Sequence, residues 1–224
     1  MADVLAFDVN ETLVDLRALD DTFVALFGSA SVRSLWFAQM LQLSFVGGLT
    51  GEYVDFTVAQ RAALRMVAQR QQREMSESDV TSVVEQMRRL PAHADVPDGL
   101  RRLRAAGFAM VALTNSVQDV AEDQIANAGI RDCFDSVMSA DNVRRLKPAP
   151  EPYRAVADAF AVPVGEVRLV AAHWWDVSGA LAAGCKAAFI TRPGMVLSPI
   201  GPTPDVVVAN VGALADRLIA PGGQ

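Results

Sequence analysis

The sequence predicts an α/β fold with a Rossmann-like core, in which helices cover both faces of a parallel sheet. Five short, largely apolar segments have the character of buried strands, and between them lie segments whose apolar residues recur with a helical period. Strands that alternate with helices are typical of a parallel sheet. The stretch 15–90 has helical patterns and no strand, so we expect an all-helical cap inserted after the first strand.

The elements follow one another along the chain with short connections. The predicted strands are 4–9, 108–114, 167–172, 187–191 and 206–209, all rich in valine, alanine or phenylalanine. The predicted helices of the core include 99–106, 117–128, 152–160 and 177–183, and those of the cap include 23–27, 32–45 and 56–66. Pro91 and Pro97 mark the return to the sheet, because proline disfavours continuation of a helix. We therefore predict a catalytic core of residues 1–14 and 91–224 and a helical cap of residues 15–90.

Composition excludes several classes of protein. The chain has 224 residues, of which 51% are hydrophobic and 21% charged, so it can bury a sizeable core. A net charge of −6 argues against nucleic acid as a partner, and the apolar runs are too short to span a membrane. The first residues include an acid at position 3 and no basic stretch, so we expect no signal peptide. The two cysteines lack the spacing of a metal site, which fits a reducing cytoplasm.

Candidate functional residues follow the predicted strands, where an open parallel sheet binds its ligands. Near the end of the first strand lie Asp8, Asn10, Glu11 and Thr12, and near the end of the second lie Thr114, Asn115 and Ser116. Lys147 precedes a proline, and the strand 167–172 continues into His173, Trp174, Trp175 and Asp176. Polar residues often end strands, but an acid, a hydroxyl, a cation and a histidine at one sheet edge together indicate a reactive site.

Four of these segments resemble the haloacid dehalogenase superfamily, over essentially the whole chain. They are DVNET, LTNS, KPAPEPY and HWWDVSGA, and the branch they resemble most is the type II (S)-2-haloacid dehalogenases. The resemblance implies that Asp8 displaces halide from a 2-haloacid to give an ester, which water then hydrolyses. A positioned, desolvated carboxylate is a competent nucleophile, and halide leaves as an anion without a general acid.

Two departures from the phosphatases of this superfamily argue against a metal. Those phosphatases carry an Asp two residues after the nucleophile, where this chain has Asn10. They also bind Mg²⁺ through a late Gly-Asp motif, at whose position this chain has Ala171-Ala172. Asp8 and Asp176 alone would be a poor Mg²⁺ site. We therefore expect no metal and no cofactor.

Lys147 is one of only two lysines among 20 basic residues. In a chain so biased toward arginine, a lysine suggests a need for a compact point charge. We expect Lys147 to pair with Asp8 and keep it ionised, and Asp176 to orient Lys147. Tyr153 matches a tyrosine that follows this lysine in the dehalogenases. Alternatively, Lys147 is a surface lysine beside a proline, and Tyr153 packs at the start of a helix.

Glu11 and His173 depart from the better-known dehalogenases, which carry Gly and Asn at these positions. Because both residues follow neighbouring strands, we expect Glu11 to orient His173. A neutral His173 would then deprotonate the water that attacks the Asp8 ester. The alternative is a buried histidine that is bonded to a backbone carbonyl.

The remaining candidates concern the substrate. Thr12, Thr114 and Asn115 are expected to surround the nucleophile and the substrate carboxylate with hydroxyl and amide donors. The predicted substrate-binding set is completed by Asn10, Phe37, Tyr153 and Trp174. Typical dehalogenases carry a cap arginine in a Leu-Trp-Arg context, but here Leu35-Trp36 precedes Phe37. Arg33, Gln39 and Gln42 are candidates to replace that arginine.

The favoured function is metal-free hydrolytic dehalogenation of a small 2-haloacid. The alternatives are a Mg²⁺-dependent phosphatase, a non-catalytic protein that binds a small acid, and hydrolysis of another carbon–halogen or ester bond by the same covalent route. Apolar faces on the cap helices would suit a homodimer.

Overall fold

The centre of the molecule is a six-stranded parallel sheet, seen in a computed structural model that describes residues 3–220. Its strand order is β3-β2-β1-β4-β5-β6, and every neighbouring pair is parallel. The strands are β1 Val4–Phe7, β2 Met110–Thr114, β3 Ser136–Ser139, β4 Val167–Ala171, β5 Lys186–Ile190 and β6 Val206–Val208. The predicted α/β class with a parallel core sheet is confirmed.

Helices connect the strands and supply the insertion. In the core these are α5 Val96–Ala105, α6 Gln118–Asn127, α7 Pro150–Ala159, α8 Trp174–Ala183 and α9 Val211–Ile219. Between β1 and β2 the chain also forms α1 Asp20–Phe27, α2 Ser31–Thr50, α3 Phe56–Arg70 and α4 Glu77–Gln86. Within the described residues, the stretch 15–90 therefore contains helices and no named strand. The domain boundaries at residues 15 and 90 stay a prediction.

Three elements were not predicted from the sequence. Strand β3 is short, contains two serines and has alternating burial, because it pairs only with β2 at the edge of the sheet. Helix α4 begins with a capping box between Ser76 and Asp79, and α9 begins at an Asn210 cap. Conversely, the predicted strand 4–9 ends at Phe7, because the Val9 carbonyl accepts turn hydrogen bonds from Leu13 and Val14.

Both faces of the sheet are buried, which explains why its strands are apolar runs rather than alternating sequences. Leu5 and Phe7 of β1 join the cluster that includes the inserted helices, whereas Val4 and Ala6 join the cluster beneath α7 and α8. Successive side chains of a strand point to opposite faces, so one strand feeds both clusters. No helix in residues 3–220 combines the length and apolar character of a membrane span.

The order of the strands in the sheet determines where a ligand-binding crevice is expected. Strand β1 lies between β2 and β4, so the chain leaves it toward one edge of the sheet and later returns to its other side. A crevice at such a switch point, beyond the carboxyl ends of the strands, is where open α/β sheets bind ligands. The connections between core and insertion also meet here, because Val14 forms an antiparallel bridge with Ala92.

Candidate active site

Asp8 is the first residue beyond β1 and is 4% exposed. One of its carboxylate oxygens, Oδ1, accepts a hydrogen bond of 2.9 Å from Lys147 Nζ. The same ammonium donates to Asp176 Oδ2 at 2.7 Å and to the Leu113 carbonyl at 2.8 Å. Three partners satisfy the three protons of a side chain that is only 1% exposed. Lys147 is therefore a buried cation held between two carboxylates, and the alternative of a surface lysine is wrong.

The charges around Asp8 keep it ionised. Burial alone raises its pKa, but the charge of Lys147 and the hydrogen bond and charge of His173 outweigh burial, and the pKa lies well below its ordinary value. Burial lowers the pKa of Lys147, yet Asp176 and Asp8 raise it above its ordinary value. Asp8 is thus an anion and Lys147 a cation at neutral pH, as the sequence predicts.

The second oxygen of Asp8, Oδ2, has two partners of its own. The Thr12 hydroxyl donates to it at 2.7 Å, and His173 Nδ1 lies 3.0 Å away. Thr12 is oriented in turn, because its hydroxyl oxygen accepts a hydrogen bond from the Ala172 amide at 2.9 Å. Thr12 therefore lies beside the nucleophile, in agreement with its predicted position.

Glu11 and His173 meet, as predicted from their places after neighbouring strands. Glu11 Oε2 is 3.0 Å from His173 Nε2, and Glu11 Oε1 is 3.5 Å from Arg33. The backbone carbonyl of Glu11 accepts a hydrogen bond of 3.1 Å from His93 Nε2. Glu11 has a φ of 60°, a left-handed conformation that costs a residue with a side chain about 1 kcal/mol or more. The contacts of Glu11 hold it in this strained conformation.

The surroundings of His173 favour its protonated form, whereas the sequence-based prediction assigns a neutral imidazole to the step in which water attacks the ester. Burial lowers the pKa of His173, but hydrogen bonds and charge interactions with Asp8 and Glu11 raise it to about 10. The alternative of a histidine bonded to a backbone carbonyl is wrong, because both ring nitrogens face carboxylates.

Two aromatic rings stack on His173. The ring centroid of Phe37 lies 5.7 Å from that of His173, and the ring centroid of Trp175 lies 5.1 Å from it. The predicted Trp174 lines the adjacent cavity but is 49% exposed, so Trp175 is the tryptophan that contacts His173. The cavity has a volume of about 320 Å³ and is bounded by Glu11, Phe37, His173 and both tryptophans. Trp175 Nε1 is buried and has no hydrogen-bond partner within residues 3–220.

Tyr153 positions Asp176. Its hydroxyl donates to Asp176 Oδ1 at 2.5 Å, and burial together with the charge of Asp176 raises its pKa well above the ordinary value. The ring is fully buried under α8, where Gly179 permits close contact: a Cβ at Gly179 would lie 2.5 Å from Pro148 and 2.8 Å from the Tyr153 hydroxyl. Tyr153, a predicted substrate-binding residue, instead fixes the carboxylate that holds Lys147.

Three other predicted substrate-binding residues have structural partners. Both polar atoms of the Asn115 side chain bond to the backbone of Lys147, at 2.8 and 3.1 Å, so this side chain is directed to the loop rather than to the nucleophile. Thr114 Oγ1 accepts a hydrogen bond from the Ser116 amide. Asn10 Oδ1 accepts one from Gln124, a residue of α6 that the sequence did not point to.

The three candidates to replace the cap arginine of typical dehalogenases differ in their hydrogen-bond partners. Gln39 bonds to Gln42 and to Arg70, on the cap itself. Arg33 bonds to Asp20 at 2.6 Å and also approaches Glu11. Within residues 3–220, Arg33 is the one of the three whose side chain bonds to a residue beside Asp8, and that residue is Glu11. Phe37, which follows Trp36, stacks on His173.

The residues around Asp8 do not fit a Mg²⁺ ion. Mg²⁺ prefers an octahedral shell of oxygen ligands, whereas here the Lys147 ammonium lies between the carboxylates of Asp8 and Asp176. Ala171 and Ala172, at the position of the metal-binding motif in the phosphatases, are buried and apolar. Among residues 3–220, no group of three or more His, Cys, Asp or Glu side chains is arranged to hold a metal ion.

Known proteins similar to this chain include dehalogenases. The haloacetate dehalogenase H-2 of Moraxella sp. (strain B) is 29% identical over 220 residues, which cover 97% of this chain and 98% of that protein. The (S)-2-haloacid dehalogenase of Pseudomonas sp. (strain YL) is 27% identical, and the match covers 98% of this chain and 96% of that protein.

The solved structures include an L-2-haloacid dehalogenase from Xanthobacter autotrophicus with chloropropionic acid covalently bound. It has a TM-score of 0.91 and 26% identity, and the match covers 98% of this chain and 99% of that one. The model of the haloacid dehalogenase-like hydrolases matches residues 2–184. This chain belongs to the haloacid dehalogenase-like hydrolase family.

Proposed function

We propose that the protein hydrolyses the carbon–halogen bond of a small 2-haloacid through an ester on Asp8, without a metal ion. The observation that carries this proposal is the buried Asp8 carboxylate, which the Lys147 ammonium holds in its ionised form. The relatives named as haloacetate and (S)-2-haloacid dehalogenases, and the related structure with chloropropionic acid covalently bound, support the same chemistry.

In the first half-reaction, Asp8 Oδ1 attacks the halogen-bearing carbon and halide departs with the bonding electrons. Oδ1 is the better placed oxygen, since within residues 3–220 it bonds to Lys147 alone, whereas Oδ2 bonds to Thr12 and His173. Lys147 and Asp176 hold the carboxylate in position. The apolar wall formed by Phe37, Trp174 and Trp175 keeps bulk water from the nucleophile.

In the second half-reaction, water attacks the ester carbon of Asp8 and releases the 2-hydroxyacid. We assign Glu11 and His173 to this step, because they lie beside Asp8 Oδ2 and are not needed for the displacement of halide. Thr12 supports the same oxygen through its hydroxyl.

Halide release from a substrate panel tests the proposed reaction. We expect release from chloroacetate and from one enantiomer of 2-chloropropionate, at rates that EDTA does not change, and no hydrolysis of p-nitrophenyl phosphate with added Mg²⁺. Fluoroacetate and the other enantiomer define the range of halogen and chirality. Phosphate release that depends on Mg²⁺ would instead support the phosphatase alternative. Binding of haloacids without halide release would support the non-catalytic one.

We also propose a cytoplasmic homodimer. Both cysteines are free and buried, as expected in a reducing compartment. Leu35, Val46 and Leu49 of α2 are exposed, together with Trp174, and these side chains would suit an interface between two copies. Sedimentation at micromolar concentration would then give twice the mass of the 24.0 kDa chain.

A further inference from the structure

The hydrogen bonds of His173 define its protonation state. Nδ1 faces Asp8 Oδ2 and Nε2 faces Glu11 Oε2, each at 3.0 Å. An ionised carboxylate only accepts hydrogen bonds, and a neutral imidazole has a single N–H to donate. Both contacts are hydrogen bonds only when both nitrogens carry a proton. The geometry therefore calls for an imidazolium.

The two aromatic rings that stack on His173 favour the same charge state. The ring plane of Phe37 is inclined by 17° to that of His173, and the plane of Trp175 by 24°. A cation over the face of an aromatic ring interacts favourably with the negative potential of that face. Alkylation of Asp8 does not remove either ring, so this contribution persists in the ester.

Charged groups face His173 from four parts of the chain. Asp8 and Glu11 follow β1 and contact the imidazole directly, and Lys147 and Asp176 act through Asp8. Arg33 of α2 approaches Glu11 but is shared with Asp20. His93, which bonds to the Glu11 backbone, has a pKa below its ordinary value, chiefly because of burial. The three carboxylates of this cluster face one full positive charge, on Lys147, and one that is shared with Asp20, on Arg33. The cluster therefore has an excess of negative charge, which a protonated His173 offsets.

We propose that His173 acts in ester hydrolysis as a permanent imidazolium that stabilises an oxyanion on Asp8, and that Glu11 keeps it protonated. This inference rests on the proposed function. When Oδ1 has attacked the substrate, Oδ2 becomes the carbonyl oxygen of the ester. It already has two donors, the Nδ1–H of His173 and the hydroxyl of Thr12, which together form an oxyanion hole.

The step balances without a histidine base. The oxygen of water bonds to Cγ of Asp8, and the carbonyl electron pair moves to Oδ2, where the two donors stabilise it. The bond between Cγ and the alkyl oxygen then breaks, and this oxygen leaves with one proton of the water. The second proton is released because the regenerated Asp8 carboxyl has a pKa well below its ordinary value.

An imidazolium and a neutral base predict opposite effects of pH on ester hydrolysis. If His173 is a donor, the rate falls as pH rises through the pKa of His173. If His173 is a base, the rate rises over that range. The variant Glu11→Gln distinguishes further between His173 as a donor and His173 as a base. Glutamine can accept a hydrogen bond from Nε2 of His173 but lacks the negative charge that keeps His173 protonated. Glu85→Gln is the matched control, since it removes one exposed carboxylate of α4.

The experiment is a single turnover with enzyme in excess, in which mass spectrometry of the Asp8 peptide follows the ester. We expect a rate constant for ester hydrolysis that is level from about pH 6 to about pH 8 and falls at higher pH. In Glu11→Gln the fall should begin more than about one pH unit lower, and in Glu85→Gln it should not move.

A direct measurement of protonation accompanies the kinetics. The chain has two histidines, so ¹⁵N labelling of histidine in untagged protein gives only two imidazoles. We expect both nitrogens of one imidazole to be protonated at about pH 8, and His93 to serve as the neutral reference. One protonated nitrogen on each ring, or an ester that disappears faster as His173 loses its proton, would overturn the inference. Neither result would affect the proposed function, which fails only if no ester or halide forms.

Discussion

Replacement of Asp8 by asparagine should lower halide release from 2-haloacids by about four orders of magnitude or more, because an amide is a poor nucleophile. The variant should still fold, since Lys147 retains Asp176 and His173 retains Glu11 as partners. Ion chromatography of released halide measures the effect, and thermal unfolding confirms the fold. Protein must be fresh, because deamidation of the introduced asparagine regenerates aspartate. Halide release near the wild-type rate would mean that another group attacks the substrate.

Lys147→Met should both inactivate and destabilise the enzyme. Methionine fills similar space without charge, so Asp8 and Asp176 are left facing each other in a buried site without a cation. One of them then takes up a proton, and the fraction of ionised nucleophile falls. We expect halide release to fall by about a thousandfold or more and the free energy of unfolding by about 3–5 kcal/mol, the usual cost of breaking a buried ion pair.

The other lysine is the natural control for this variant. Lys186, the first residue of β5, pairs with Asp3, and its side chain is 45% exposed. Lys186→Met should cost about 1 kcal/mol or less and leave halide release unchanged. Urea denaturation of both variants measures the difference. Equal losses in the two variants would contradict the role of Lys147 as the buried counterion of the site.

The dependence of the free energy of unfolding on pH below neutrality also tests the interaction between Lys147 and Asp8. The pKa of Asp8 in the folded wild type is below its unfolded value, so its contribution to stability is present above about pH 4 and is lost as pH falls. Without Lys147, the carboxyl that takes up a proton has a raised pKa, and its contribution has the opposite sign. The deficit of Lys147→Met should therefore shrink as pH is lowered from about 7 to about 5.

The residues predicted correctly from the sequence are those whose places follow from topology alone. Asp8 directly follows β1, Asp176 lies in the first turn of α8, and Lys147 lies in the loop before α7; parallel strands bring their carboxyl ends to one edge. Glu11 and His173 met for the same reason. A pattern of apolar runs is enough to order these strand ends, even though β3 was not recognised.

The direction of a side chain within a loop or in the first turn of a helix could not be predicted from the sequence. Asn115 bonds to the backbone of Lys147, and this depends on a loop conformation that no periodicity reports. Trp174 and Trp175 are neighbours on α8, and adjacent helical residues point about 100° apart, so only one of them can face His173. The pKa of His173 depends on two carboxylate contacts at once, and the sequence predicts only the contact with Glu11.

The most direct test of an Asp8 ester is a single turnover in water labelled with heavy oxygen, with enzyme in excess over 2-haloacid. The account predicts that the label enters the side-chain carboxylate of Asp8, since water attacks its Cγ, and that the released hydroxyacid carries unlabelled oxygen from the protein. Label in the hydroxyacid of the first turnover, with none in the Asp8 peptide, would show that water displaces halide directly and would contradict the account.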